Sequence, residues 1–467
     1  MAEFPTIAII GGGLSGSMVA LNLLRLTTVP LTIKLIECRS ELGRGVAYST
    51  PVNSHLLNIP ASSASLFEDD PNDFYRWAKW AEPQLSITPN SFLPRRLYGR
   101  YVKSVLYDVV EISVAQLVHI YDEAIAIRHP HSSHPLEIEL AGGQLIKADY
   151  GILALGNFPP GNPPVADLSF YNSPRYITSA WSNWDLCQIA PDDPVALIGT
   201  GLTAVDVTLQ RRQQGHHGTI HWISRRGLLP HAHRFDVPQS ACPIPDDLPR
   251  TARAFVHAVR QAVDRVNAES GDWRSVFDGL RPEVQRLWRS LPLQEQQRLL
   301  RHILPYWSIH RHRVAPEVAK QIDELVRSQH LKIHAGRILH YHPTSEVVTI
   351  ELRSRHSSEI VKLPVSWVIN CTGSEGNYHR VPIPLIMELL HSGIATSHPL
   401  GIGLNVSEDG ALIDATVVPS THLYTLGPPL QGLLWETTAI PEIRQQAPIL
   451  AEKLLSLINH NFRVTVF

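Results

Sequence analysis

Four short apolar runs punctuate the chain, and each one stops at glycine. Ile7-Ala8-Ile9-Ile10 runs into Gly11-Gly12-Gly13-Leu14-Ser15-Gly16, and Val195-Ala196-Leu197-Ile198 runs into Gly199-Thr200-Gly201-Leu202-Thr203-Ala204. Tyr150-Gly151-Ile152-Leu153-Ala154-Leu155 stops at Gly156, and Val368-Ile369-Asn370-Cys371-Thr372 stops at Gly373. A short apolar run without polar alternation predicts a strand covered on both faces, as in a parallel sheet. The first two runs continue into helical patterns and so predict strand, tight turn and helix. Between about 248 and 329 the period becomes helical throughout, with one stripe at Ala252, Val256, Val259, Val263 and Val266 and others at Leu287, Leu291, Leu299 and Leu300. Alternating strands follow from Leu331 to Leu352, and strand and glycine signals return from about 365. A last helix is predicted from Pro441 to about Ile458. The stretch 159–190, rich in proline, asparagine and serine, reads as a linker.

These signals predict an α/β fold with two Rossmann-like dinucleotide-binding units and a helical insertion. The first unit is split between 1–190 and 365–467; the second occupies 191–364, with the insertion at 248–329. In a strand–glycine–helix unit the first glycine permits the tight turn and the second lets backbone amides reach a pyrophosphate. A small third residue allows the helix to lie close on the strand, and the helix N-terminus receives the phosphates. Glu37 stands 21 positions past Gly16, and Arg225 stands 21 past Ala204. The register is the same and the charge is opposite. A carboxylate there accepts hydrogen bonds from a ribose diol, whereas Arg225 and its neighbour Arg226 suit a ribose 2′-phosphate. One unit therefore suits FAD and the other NADPH. One such motif alone is as well explained by a loop that merely turns a strand into a helix; two at matched spacing point to nucleotides.

Composition narrows the partners. The 467 residues carry a formal charge of −2, which offers no basic surface for nucleic acid or an anionic membrane. The apolar stretch Ile7–Leu26 lacks the basic flank of a signal peptide and is broken by glycines where a phosphate turn belongs. A cytoplasmic enzyme with small-molecule partners is expected. Cys38, Cys187, Cys242 and Cys371 form no C-x-x-C pair, so the dithiol of a disulfide reductase is missing. No metal site is expected: His129-Pro130-His131 and His310-Arg311-His312-Arg313 lack partners at ligand spacing, and the arginines would repel a cation.

With Gly11, Gly13, Gly16 and Glu37 stand Gly43-Arg44-Gly45-Val46-Ala47-Tyr48, His55-Leu56-Leu57-Asn58-Ile59-Pro60-Ala61, Asp73-Phe74-Tyr75-Arg76-Trp77 and Trp435-Glu436-Thr437-Thr438-Ala439-Ile440-Pro441-Glu442-Ile443-Arg444. On these residues the chain resembles the FAD/NAD(P)-binding proteins of the HpyO-type urate hydroxylase group, relatives of the flavin-containing and N-hydroxylating monooxygenases. The resemblance spans most of the chain and is weakest in the helical insertion. It implies that Gly11, Gly13, Leu14, Ser15, Gly16 and Glu37 hold FAD and that Gly199, Gly201, Leu202, Thr203 and Arg225 hold NADPH. It also implies that Asn58, in an N-x-P turn, lies beside the flavin. One departure stands out: Leu426-Gly427-Pro428 occupies the place where many flavoproteins have a glycine–aspartate for the ribityl chain.

Other candidates have two readings each. Arg44, between two glycines, either contacts the flavin diphosphate or lies on the surface. Asn58 has an amide that donates and accepts, suited to a nicotinamide amide or to oxygenated flavin, or else it closes an Asx turn. Thr438, ahead of Pro441, either caps a helix aimed at the flavin or caps an ordinary one. Trp307, His310, Arg311, His312 and Arg313 either face a ligand or serve structure. Gly156, Gly373 and Gly427 join the cofactor-binding set. The leading expectation is monooxygenation of a small molecule such as an amine or amino acid, with molecular oxygen as co-substrate. The alternatives are an NADPH oxidase or reductase that uses another acceptor, and a non-catalytic redox sensor.

Overall fold

The computed structural model describes residues 4–128, 135–181, 188–236, 244 and 248–465. His129, His131, Cys187 and Cys242, which entered the metal and thiol arguments, lie outside them. The chain begins with β1 (Thr6–Ile10), α1 (Leu14–Leu26), β2 (Thr32–Ile36), the single turn α2 (Gly45–Tyr48), α3 (Asp73–Ala81), α4 (Arg95–Val110) and β3 (Gln116–Ile120). A small antiparallel sheet of β4 (Ala124–Arg128), β5 (Leu136–Leu140) and β6 (Leu145–Ala148) precedes β7 (Tyr150–Leu153). Then come β8 (Tyr176–Ile177), β9 (Val195–Ile198), α5 (Leu202–Gln213) and β10 (Ile220–Ser224). The insertion is α6 (Ala252–Ala268), α7 (Trp273–Leu280), α8 (Val284–Ser290), α9 (Leu293–His302), α10 (Leu304–Arg311) and α11 (Pro316–Arg327). The chain closes with β11 (Leu331–Pro343), β12 (Val348–Ser354), β13 (Ile360–Val365), β14 (Trp367–Asn370), α12 (Pro384–His391), β15 (Ala411–Ile413), β16 (Pro419–Thr425), α13 (Gln431–Leu434) and α14 (Ile440–Thr465).

Two larger sheets organise these elements. The first has the order β15-β16-β7-β1-β2-β3, parallel except at β15. The second runs β13-β12-β11-β10-β9-β14-β8. Its β10, β9, β14 and β8 are parallel, and β11 changes partner along its length: Leu331–Ala335 pair with β10, and Gly336–Pro343 form a hairpin with β12. The four apolar runs become β1, β7, β9 and β14, the paired central strands of the two sheets, and their side chains are almost wholly buried. α1 packs between α4 and α14, so the last helix of the chain closes the first unit. No helix among the described residues is long and apolar enough to cross a membrane.

The expected boundaries need correction. β8 lies before residue 191 and β14 after 364, yet both belong to the second sheet. Parallel pairing decides this, because Trp367–Asn370 hydrogen-bond in register beside Val195–Ile198. The stretch expected as a linker also supplies Phe170 and Tyr176, both buried, with Phe170 stacked 4.4 Å from Tyr341. The predicted insertion stripe is real: Ala252 is buried and Val256, Val259, Val263 and Val266 pack on a core containing Phe277, Leu280, Trp288 and Trp307. The last helix begins one residue before Pro441 and continues past the expected end at Ile458.

Candidate functional site

The two glycine turns are built alike. Gly11 has φ +104° and Gly199 φ +119°, conformations that favour glycine. A methyl group on Gly11 would collide with the carbonyl of Ala154 after β7, and one on Gly199 with the carbonyl of Cys371 after β14. The third position also obeys a contact rule: at Gly16 a side chain would strike the Gly11 carbonyl. Gly13 and Gly201 are the N-cap residues of α1 and α5, and neither helix start is closed by a side-chain cap. Leu14 and Ser15, then Leu202 and Thr203, are the first helical residues, whose free N–H groups suit a phosphate. A methyl on Gly201, Gly156 or Gly373 would meet nothing within 4 Å, so the backbone there borders open space.

At the next strand the units diverge. β1 and β2 pair with Ile10 opposite Ile36, which brings Glu37 beside the first turn. Glu37 is buried; its Oε2 accepts from Gly12 N–H at 2.8 Å and its Oε1 from Arg39 N–H at 3.0 Å. Arg225 follows β10 in the same place and is exposed. Arg226 is half-buried, its guanidinium 5.4 Å from the Tyr306 ring centre, and its Nε is buried without a hydrogen bond among the described residues. It lines a cavity of about 390 Å³ with Gly227, His334, Ser354 and His356. The loop is pinned from behind, because the Thr200 hydroxyl donates to the Leu228 carbonyl at 2.6 Å and Gly227 N–H donates to Ser224 Oγ at 2.9 Å.

Around the first turn, Gly45 packs directly on Gly13. Between Gly43 and Gly45, Arg44 pairs with Glu41 at 2.6 Å while its Nε remains buried without a hydrogen bond among the described residues. Gly427 rests on Ser15 and is held by the last helix and the segment before it: its N–H donates to Gln446 Oε1 at 2.8 Å, and its carbonyl accepts from the Thr437 hydroxyl at 3.1 Å. Thr438 is exposed and is not the cap expected of it. The first helical bond runs from Ile443 N–H to the Ala439 carbonyl, which makes Ala439 the N-cap. Asn58 is half-buried. The Asx turn is not formed, because the backbone donor it needs, two residues on, falls at Pro60, which has no N–H. Instead the Asn58 carbonyl accepts from His233 Nε2 at 2.9 Å, a bond from the second unit. Burial, followed by the charge of Arg313, lowers the His233 pKa to about 4, so this ring is neutral at pH 7.

Sequence reasoning missed how the insertion grips the C-terminal segment. Trp307 Nε1 donates to Glu436 Oε1 at 2.7 Å, and Arg281 and Arg311 each reach Glu442 Oε1 at 3.0 Å. Burial alone would raise the Glu442 pKa, but Arg281 and Arg311 hold it below the usual carboxylate range. Trp435 lies between Trp288 and Trp307, with ring centres 5.2 and 4.9 Å away. Its φ of +60° and ψ of −69°, with Glu436 N–H bonded to the Leu434 carbonyl, form a strained γ-turn. The only signal in the sequence was the concentration of Trp and Arg in the insertion. His310 stacks on Phe277 and Arg313 pairs with Asp278, so this run serves structure.

Residues 8–158 match the profile of a family described as FAD-NAD(P)-binding. No curated protein matches. Among solved structures, the reduced ornithine hydroxylase PvdA of Pseudomonas aeruginosa superposes with a TM-score of 0.66 at 16% identity, over 97% of this chain and 99% of that one. The ornithine N-hydroxylase KtzI of Kutzneria sp. 744, solved with reduced FAD, NADP⁺ and L-ornithine, gives 0.61 at 14%, over 98% and 100%. The bacillithiol disulfide reductase Bdr of Bacillus cereus gives 0.55 at 12%, over 97% and 99%. The shared property is the fold. At these identities the chemistry has to be argued from the site.

Proposed function

We propose that this chain is an FAD- and NADPH-dependent monooxygenase that hydroxylates a small amine or amino acid. The observation that carries the reading is the pair of glycine turns in one register, one facing buried Glu37 and the other facing Arg225 and Arg226. The residues fit both cofactors: helix starts without a side-chain cap for the pyrophosphates, open space before Gly156, Gly201 and Gly373, and buried Nε atoms of Arg44 and Arg226 that lack a hydrogen-bond partner among the described residues. The similarity of fold to ornithine hydroxylases supports the substrate class. The narrower kinship with the HpyO-type group rests on the motifs and belongs to the same proposal, as does a cytoplasmic location.

Bound FAD supplies hydride acceptance and oxygen activation. The protein's own residues bind, orient and shield. Glu37 takes the adenosine ribose of FAD, and the amides opening α1 take its pyrophosphate, with Arg44 adding charge. Arg225 and Arg226 grip the 2′-phosphate of NADPH while the amides opening α5 hold its diphosphate. Asn58, whose backbone is fixed by His233, presents an amide between the two units that can donate to oxygen and accept from an amide. The insertion, locked onto Trp435, Glu436 and Glu442, covers the segment before α14 and excludes water.

Incubating the yellow holoprotein with NADPH, oxygen and a panel of amines and amino acids, with products read by mass spectrometry, tests the reading. A product heavier by one oxygen atom is expected. Replacing Asn58 by Ala should increase peroxide released per NADPH consumed and decrease hydroxylated product. Rapid NADPH oxidation by a quinone or protein acceptor, with slow oxidation by oxygen and no hydroxylated product, would replace this reading with the reductase.

A further inference from the structure

One charged pair joins the two nucleotide units through their interior. Arg95 opens α4 of the first unit, and three of its groups are committed. Its backbone N–H donates to the His55 carbonyl at 2.8 Å, its Nε donates to the Leu56 carbonyl at 2.9 Å, and its Nη2 lies 2.9 Å from Asp206 Oδ2. The guanidinium also sits 5.0 Å from the Trp181 ring centre. Asp206 is on α5, one turn beyond the second glycine turn. Both side chains are nearly buried, at 13% and 8% exposure. Beside the pair is a cavity of about 20 Å³ bordered by Asn58, Leu202 and Val314, which has room for a water molecule.

Such a pair is a poor way to gain stability. Desolvation of two ions commonly costs as much as their attraction returns, and an apolar pair of similar volume often does as well. Here burial outweighs the pull of Arg95 and raises the Asp206 pKa to about 6. What the pair provides is a tie between two particular elements. Arg95 holds the loop that leads to Asn58 by two backbone carbonyls, and through Asp206 it holds the helix whose first residues border the proposed NADPH diphosphate site. An apolar contact would permit sliding, whereas the Arg95 guanidinium, its Nε fixed on the Leu56 carbonyl, holds the carboxylate by charge at a set distance, Asp206 Oδ2 making no hydrogen bond among the described residues.

We propose that Arg95 and Asp206 are a positioning pair that keeps the NADPH-side helix and the Asn58 loop in register, so that nicotinamide is presented to flavin at the correct distance. This rests on the FAD/NADPH reading. Neither residue touches a reacting atom. A small misplacement at a hydride-transfer site is costly because transfer requires close contact of aligned groups.

The test uses flavin-loaded wild type, Asp206→Asn, Arg95→Lys and the double variant Arg95→Met/Asp206→Leu. Three readouts are compared: melting temperature, NADP⁺ affinity from perturbation of the flavin spectrum, and the anaerobic rate of flavin reduction by NADPH against that by dithionite. Asp206→Asn should lower reduction by NADPH about tenfold or more, which corresponds to about 1.4 kcal/mol, and also lower the melting temperature, because it leaves the buried Arg95 charge without its partner, while NADP⁺ affinity and dithionite reduction of the folded variant change little. Arg95→Lys should be intermediate, since it keeps the charge and loses the fork. The double variant should keep stability without recovering the rate, and it serves if Asp206→Asn does not fold. Unchanged NADPH reduction in the folded variants overturns the proposal, as does a loss of rate that only follows a loss of stability or NADP⁺ affinity. Wild type that binds no flavin, or whose flavin NADPH does not reduce, overturns the underlying reading too and is recognised by failing before any variant is made.

Discussion

The two glycine turns share a backbone and differ in enclosure. In the first, Gly13 is covered by Gly45, Ser15 by Gly427, and Glu37 is buried and bonded to the turn itself. In the second, Gly201 borders open space, Arg225 is exposed, and Arg226 lines a cavity of about 390 Å³. A closed turn suits a cofactor that stays; an open one suits a cofactor that arrives, reacts and leaves. Under the proposed reading this is the difference between resident FAD and exchanging NADPH. On that reading strand, turn and helix make the nucleotide site in both units, and the neighbouring loops decide how long the nucleotide remains.

The largest effects should come from breaking the shared backbone. Gly11→Ala drives a methyl into the Ala154 carbonyl and Gly199→Ala drives one into the Cys371 carbonyl, in each case at a positive φ. We expect Gly11→Ala to purify with little or no flavin, measured by visible absorbance per protein. Gly199→Ala should retain flavin and fail to saturate with NADPH. Equal loss of flavin in both would mean that the second turn is only a structural element.

An intermediate effect should come from reversing the choice of nucleotide. Each charge-assisted contact is worth roughly 1.5–3 kcal/mol, or about 10- to 100-fold in affinity. Arg226→Ala should raise the KM for NADPH by about that factor and change the KM for NADH little. Arg225→Ala should do less, because Arg225 is exposed and does not line the cavity. Equal effects on NADPH and NADH would assign the arginines to structure.

The smallest effect is in pH. The Asp206 pKa is raised by burial, against Arg95, to about 6. A carboxyl raised on folding adds stability while protonated and loses that contribution as pH rises through its folded value. His55, lowered to about 4 by burial and then Arg95, faces the same pair and has the opposite dependence; Cys371, whose thiol is raised by burial and then by Asp206, remains protonated in this range. Comparing wild type with Asp206→Asn isolates the carboxyl. The melting temperature of wild type should lose ground to that of Asp206→Asn between pH 5 and pH 7, by a few degrees at most. A constant difference across that range would show that Asp206 is ionised throughout.

The two strand–turn–helix units and the charges that follow them were readable because they are local. Gly11, Gly199, Glu37 and Arg225 lie within two strand–turn–helix units whose spacing is set by strand pitch and helix rise, so the same 21-residue interval places an acid in one and a base in the other. Arg44 was read as a choice between diphosphate and surface, and its Glu41 partner three residues away was visible only as a nearby charge. Thr438 was misread as a cap because cap position depends on where the backbone turns, and a one-residue shift gives the place to Ala439.

What the sequence by itself determined is the pair of strand–glycine–helix units, the acid and the base at matched places after them and the helical character of the insertion, because each follows from short-range periodicity and turn chemistry. Tertiary structure alone decided the rest: that β8 and β14 complete the second sheet, that Trp307, Arg281 and Arg311 lock the insertion onto Glu436 and Glu442, and that Arg95 meets Asp206. These contacts join residues far apart in the chain. A charge or an aromatic ring has no period that names its partner; packing of the sheets brings the two together, and desolvation then makes an unpaired alternative too costly to persist.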